Sequence, residues 1–151
     1  MYKHILCPVD GSLASNAGMR EAIQLAEEQD AELLLLHVID TYVPIVDIAS
    51  DSNVTYMIDI LRANGEKIIK KANTAAQKTG ITVNTKTIES VGGRVASFIV
   101  AEAEKWPADL IVMGTHGLRG ISRLVMGSDA EHVLRNSKVP VLLVKSPHAG
   151  R

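Results

Sequence analysis

Short apolar blocks alternate along the chain with longer stretches in which apolar residues recur every three or four positions. The first pattern predicts strands and the second amphipathic helices. YKHILCPV (2–9) reads as a buried strand ended by the turn Asp10-Gly11-Ser12. From Ser12 to Gln29, Gly18, Ala22, Leu25 and Ala26 recur at helical spacing, with Ser12 placed to cap the helix. AELLLLHVI (31–39) is continuously apolar, as a parallel strand covered on both faces should be. A second helix is predicted over 53–79, with Ile58, Leu61, Gly65, Ile68, Ala72 and Ala75 on one face and Gly80 as its stop. ITVNTKTIE (81–89) alternates and is half polar. VGGR (91–94) opens a helix carrying Val95, Ile99 and Ala103 that ends near Trp106-Pro107. DLIVMG (109–114), a helix with Ala130, Val133 and Leu134, and VPVLLVK (139–145) complete the series.

The order βαβαβαβαβ predicts an open parallel sheet with helices on both faces and right-handed crossovers. Such sheets bind ligands outside the carboxyl ends of their strands. At 151 residues the expectation is one domain over 1–146 with a short tail, 147–151.

Composition narrows the class. Hydrophobic residues make up 46% and charged residues 22%, as in ordinary globular proteins. A formal net charge of −1 gives no electrostatic case for nucleic acid or an anionic membrane as partner. Cys7, the one cysteine, cannot form an internal disulfide and reads as a small buried hydrophobe. The apolar part of the opening segment is too short for a signal peptide, and LLLLHVI and DLIVMG fall far below the ~20 residues that span a bilayer. A cytoplasmic, reduced setting without membrane insertion is expected.

The candidate chemistry lies in MGTHGLRGISRLVMGSDAEHVL (113–134). Strand four ends at Met113-Gly114, and Gly114 and Gly117 bracket a tight turn in which amides face inward unobstructed. Nine residues on, Gly127-Ser128 opens the last helix, whose first amides lack internal partners and sit at the positive end of its dipole. That combination is an anion cradle, with phosphate its usual occupant and the Ser128 hydroxyl an added donor at the N-cap. No catalytic side chain is required. The spacing is neither a P-loop nor a GxGxxG dinucleotide turn.

Gly-x-x-Gly, nine residues, then Gly-Ser resembles the ATP-binding signature of the universal stress protein family. HILCPVDGS, DLIVMGTHG, GSDAEHVL and VPVLLVK resemble that family's other landmarks in order, over Lys3 to Lys145. The resemblance implies a five-stranded Rossmann-like fold, of the adenine nucleotide α-hydrolase kind, with strand order 3-2-1-4-5. It also implies ATP, or AMP or ADP, as ligand, with Mg²⁺ a candidate companion, and a homodimer. The implied nucleotide contacts are Pro8, Asp10, Val38, Met113, Gly114, His116, Gly117, Arg119, Gly127, Ser128 and Asp129. Pro8 and Val38 enter only through the resemblance.

Several of these residues have plainer readings. Asp10 either accepts from a ribose hydroxyl, holds Mg²⁺, or caps its own turn. The residues alone leave this open, and the resemblance places it in the nucleotide site. Arg119 or Arg123 could pair with terminal phosphates, although a solvated basic loop serves Arg123 as well. With no nucleophile identifiable beside His116, the backbone role of its motif is the simpler one. Asp129 departs from the family pattern, where that position is mostly uncharged. A carboxylate there suits the helix dipole but would repel a polyphosphate or help hold its metal.

Strand three carries polar residues and Lys86, which suits an exposed edge, whereas the opposite edge, Val141–Val144, is apolar. A second copy covering that edge is expected, the alternative being cover by the chain's own helices. The connection 40–53, with Tyr42, Val43, Ile45, Val46 and Ile48, reads as a lid over the adenine or as a surface for the dimer or a client protein. Functionally, a nucleotide-responsive stress or signalling module is expected. A slow ATP hydrolase or phosphotransferase using Asp10, His116 and Arg119, and an adaptor with a vestigial site, are the alternatives.

Overall fold

A computed structural model of the chain describes residues 1–41, 51–115 and 126–146. Nine elements follow in the expected order: β1 (His4–Pro8), α1 (Leu13–Gln29), β2 (Glu32–Ile39), α2 (Asp51–Gln77), β3 (Val83–Glu89), α3 (Val95–Lys105), β4 (Leu110–Gly114), α4 (Ser128–Asn136) and β5 (Val141–Val144). The strands form one parallel sheet in the order β3-β2-β1-β4-β5, as the resemblance implied.

The period-two alternation of the strands builds two cores. Ile5, Cys7, Leu33, Leu35 and Val112 point to one face, where Ala22 and Ala26 of α1 and Ala72 and Ala76 of α2 meet them. Leu6, Leu34, Leu36 and Ile111 point to the other, against Ala96, Ile99 and Ala103 of α3 and Ala130 and Val133 of α4. Alanines on the helices let them approach a sheet of large branched side chains closely. Cys7 is fully buried, and burial pushes its thiol up to about 12, so it serves packing as expected.

Boundaries differ from expectation where particular groups intervene. Asp109 lies just outside β4, because its carboxylate accepts from the amides of Lys3 (2.8 Å) and His4 (3.2 Å) and guides the chain into β1. β5 begins at Val141 because Pro140 has no N–H and gives only its carbonyl, to the Ile111 amide. α2 stops at Gln77, and Gly80 turns the chain at φ +78°. Lys86 does not serve merely to keep the β3 edge soluble. Its Nζ lies 2.7 Å from a carboxylate oxygen of the buried Glu102, which ties β3 to α3 and compensates a charge that would be costly alone.

Candidate functional site

The turn after β1 is held by reciprocal hydrogen bonds. The Ser12 amide donates to Asp10 Oδ1 (2.9 Å), the Asp10 amide donates to Ser15 Oγ (3.0 Å), and the Ser15 amide donates to Ser12 Oγ (3.1 Å). Gly11, at φ +83°, supplies the left-handed residue the turn requires. Ser12 is thus the N-cap of α1, as expected, and Asp10 fulfils its capping reading. This leaves its second carboxylate oxygen at the sheet's carboxyl edge.

At that edge one cleft is lined by Pro8, Asp10, Val38, Met113, Gly114, Gly127, Ser128 and Asp129, which unites every implied contact that falls among the described residues. His116, Gly117, Arg119 and Arg123 lie outside the described residues, as does the stretch 42–50. The cleft also receives residues the sequence reading did not select: His37 and Asp40 from β2 and its end, Asn64 and Ile68 from α2, Gly92 to Arg94 before α3, and Thr115. Asp40 and Thr115 directly follow strands two and four, so position at the carboxyl edge was the signal that could have found them. His37 is buried, with Nδ1 2.7 Å from the Val9 carbonyl. Gly65 of α2 permits its closeness, since a Cβ there would fall 2.9 Å from the His37 ring.

Two glycines have duties other than those expected. A Cβ on Gly114 would stand 2.4 Å from the Ala14 carbonyl oxygen and 3.0 Å from the Ser15 amide nitrogen, so Gly114 makes room for the first turn of α1. The Gly127 amide is not free for a ligand. It donates to the Thr115 carbonyl (2.7 Å), while its own carbonyl accepts from Glu131 (3.0 Å). Gly127 therefore braces β4 against α4 and is itself the N-cap, at φ −57° and ψ 148°. Ser128 accordingly sits one position later than expected, as the first residue of α4. The amides of this first turn, beginning with Ser128, have no carbonyl partner within the helix.

Asp129 lies in the first turn of α4 and lines the cleft, where the backbone at Ala96 in α3 acts to lower its carboxyl pKa. Although the residue as a whole is exposed, desolvation is the largest influence on the carboxyl and raises its pKa above the ordinary range. Arg94 opposes that rise, whereas the charges of Asp40 and Asp10 add to it. Arg94 also reaches His132 Nδ1 (3.5 Å), and His132 Nε2 lies 3.4 Å from Ser97 Oγ. Among the described residues no group of three or more His, Cys, Asp or Glu is arranged to hold a metal. No helix among them is long and apolar enough to cross a membrane.

Comparison with known proteins agrees with this geometry. The model of the universal stress protein family matches residues 1–145. A universal stress protein of Methanocaldococcus jannaschii, MJ0531, is 39% identical over 97% of this chain and 84% of its own length. Among solved structures, protein MJ0577 of the same organism superposes with a TM-score of 0.85 at 27% identity, covering 98% of this chain and 99% of its own. A universal stress protein solved in complex with cAMP superposes with a TM-score of 0.69 at 25% identity, covering 96% and 98%. The family model over residues 1–145 and the near full-length similarity agree, and the chain belongs to the universal stress protein family.

Proposed function

We propose that this protein binds an adenine nucleotide, with ATP foremost and AMP or ADP as alternatives, in the cleft at the carboxyl ends of β1, β2 and β4. On this reading residues 1–146 form one nucleotide-binding domain. The domain acts as a homodimeric, cytoplasmic stress or signalling module, and the ligand alters its contact with a client protein. The observation that carries the reading is convergence. Three strand ends and the first turn of α4, far apart in sequence, line one cleft with Pro8, Asp10, Val38, Met113, Ser128 and Asp129. Within it, Val38 and Met113 offer buried apolar surface for a base, and the start of α4 offers amides for phosphate. The cAMP-bound relative supports an adenine nucleotide as the ligand class. His116, Gly117 and Arg119 complete the phosphate end in this proposal, with Gly117 supplying backbone.

Binding needs no catalytic side chain here, so the module is preferred over a hydrolase. The test is to denature the purified protein, chromatograph the released small molecules, and incubate native protein with ATP. Bound adenine nucleotide without turnover is the expected result. ADP accumulating over minutes would favour the hydrolase. Neither ligand nor titratable binding would favour the adaptor and overturn the proposal.

A further inference from the structure

The described residues that line the cleft carry an imbalance of charge. Asp10, Asp40 and Asp129 are among them, and Arg94 is the only lysine or arginine. Three carboxylates repel an anion, whereas the proposed ligand is anionic. Arg94 stands at the start of α3 as its N-cap, yet its side chain makes no capping hydrogen bond. The residue is exposed, and none of the ion pairs among the described residues includes it. Its guanidinium nevertheless lies beside α4. Nη1 is 3.5 Å from Nδ1 of His132, which follows Asp129 by one turn, and the positive charge acts on the Asp129 carboxyl.

From an exposed cation set among three carboxylates at the cleft, we infer that the Arg94 guanidinium pairs with a phosphate of the bound nucleotide and so selects phosphorylated ligands over the nucleoside. The inference rests on the proposed nucleotide site and adds to it a specificity-determining side chain from the α3 side, outside the glycine stretch. The reach of its charge to Asp129 indicates the partner, because Asp129 belongs to the same first turn of α4 where phosphate is proposed. Arginine suits the task, since its planar fork donates two parallel hydrogen bonds to phosphate oxygens. A 3.5 Å contact with a histidine ring is a weak hold, which the guanidinium can exchange for phosphate.

Calorimetric titration with AMP, ATP and adenosine tests it. Arg94→Gln should lower the affinity for AMP and ATP about tenfold or more, in line with the loss of a hydrogen bond to a charged group. Adenosine, which lacks phosphate, should bind the variant and the wild type alike. Arg94→Lys should fall between the two for AMP and ATP, because an ammonium keeps the charge but not the fork. A double variant separates contact from compensation. If Arg94 only offset the charge of Asp129, Arg94→Gln would cost nothing in an Asp129→Asn background, whereas direct pairing predicts that the loss persists there. Unchanged affinity for AMP and ATP in Arg94→Gln would overturn the inference, as would an equal loss for adenosine or a loss that vanishes in the double variant. Wild-type protein that binds adenosine as tightly as AMP would overturn it while leaving the site intact. If wild-type protein binds none of the three ligands, the nucleotide site itself fails, and that result is distinct from failure of the Arg94 contact.

Discussion

Gly18 of α1 and Gly114 at the end of β4 face each other at a distance that admits no side chain. A Cβ on Gly18 would lie 2.8 Å from the Gly114 amide nitrogen, and one on Gly114 would lie 2.4 Å from the Ala14 carbonyl oxygen. The atoms in the way are backbone, which cannot swing aside. The pair therefore sets how closely the start of α1 approaches the sheet edge, and with it one wall of the cleft. Gly114→Ala is expected to lower stability by about 1–3 kcal/mol, as overpacking of a tight contact does. Denaturant unfolding measures this, and an unchanged midpoint would refute the close approach.

Gly127 gives the contrasting case. Its φ of −57° is open to any residue, and its bond to Thr115 is made by backbone that Gly127→Val retains. Valine is a poor N-cap, so a modest stability cost of about 1 kcal/mol is expected. Nucleotide affinity should nevertheless be lost, because the added side chain intrudes at the cleft wall where phosphate is proposed. Calorimetric titration with ATP distinguishes the two effects, and full affinity in a folded Gly127→Val protein would count against the cradle.

Comparison of these glycines explains how far the sequence could be read. Element order, the two apolar faces of the strands and the Ser12 cap were legible because each follows from local periodicity or turn chemistry. The position of the cleft was legible too, since Asp10, Val38 and Met113, which line it, each lie at or just beyond a strand's carboxyl end. The division of labour among the glycines was not legible. Whether a glycine clears space for a ligand or for a neighbouring helix depends on contacts such as Gly114 with Ala14, which are distant in sequence. The ion pair of Lys86 was not legible for the same reason, because its partner Glu102 is brought near only by the packing of α3.

Asp129 carries a pH signature. Its carboxyl has a raised pKa in the folded chain, chiefly through desolvation, with the charges of Asp40 and Asp10 adding to it. A raised folded pKa means that the protonated form is favoured on folding. The associated stability is complete below the unfolded carboxyl's 3.8 and lost as pH rises through the folded value. Asp129→Asn keeps the size of the side chain but does not titrate. Its melting temperature relative to wild type should therefore rise as the buffer moves from acidic to neutral. A difference that does not vary with pH would show that Asp129 titrates as an ordinary carboxyl.

The edge of the sheet supplies the last prediction. β5 ends the strand order, and its side chains do not share one role. Val141 and Leu143 pack against the core beneath α3 and α4, and Val144 against the core beneath α1 and α2, whereas Leu142 is 37% exposed. If a second copy covers this edge, as proposed, Leu142 is the side chain that can change without injuring the protomer. A charge at Leu143 would instead enter the core and confound folding with assembly. Lysine at an edge position is compatible with a folded strand and discourages pairing with another chain. Leu142→Lys should keep the far-ultraviolet circular dichroism of the wild type while shifting its sedimentation toward monomer. Wild-type protein that sediments as a monomer at tens of micromolar would remove the premise, because an isologous interface of useful strength would be populated at that concentration.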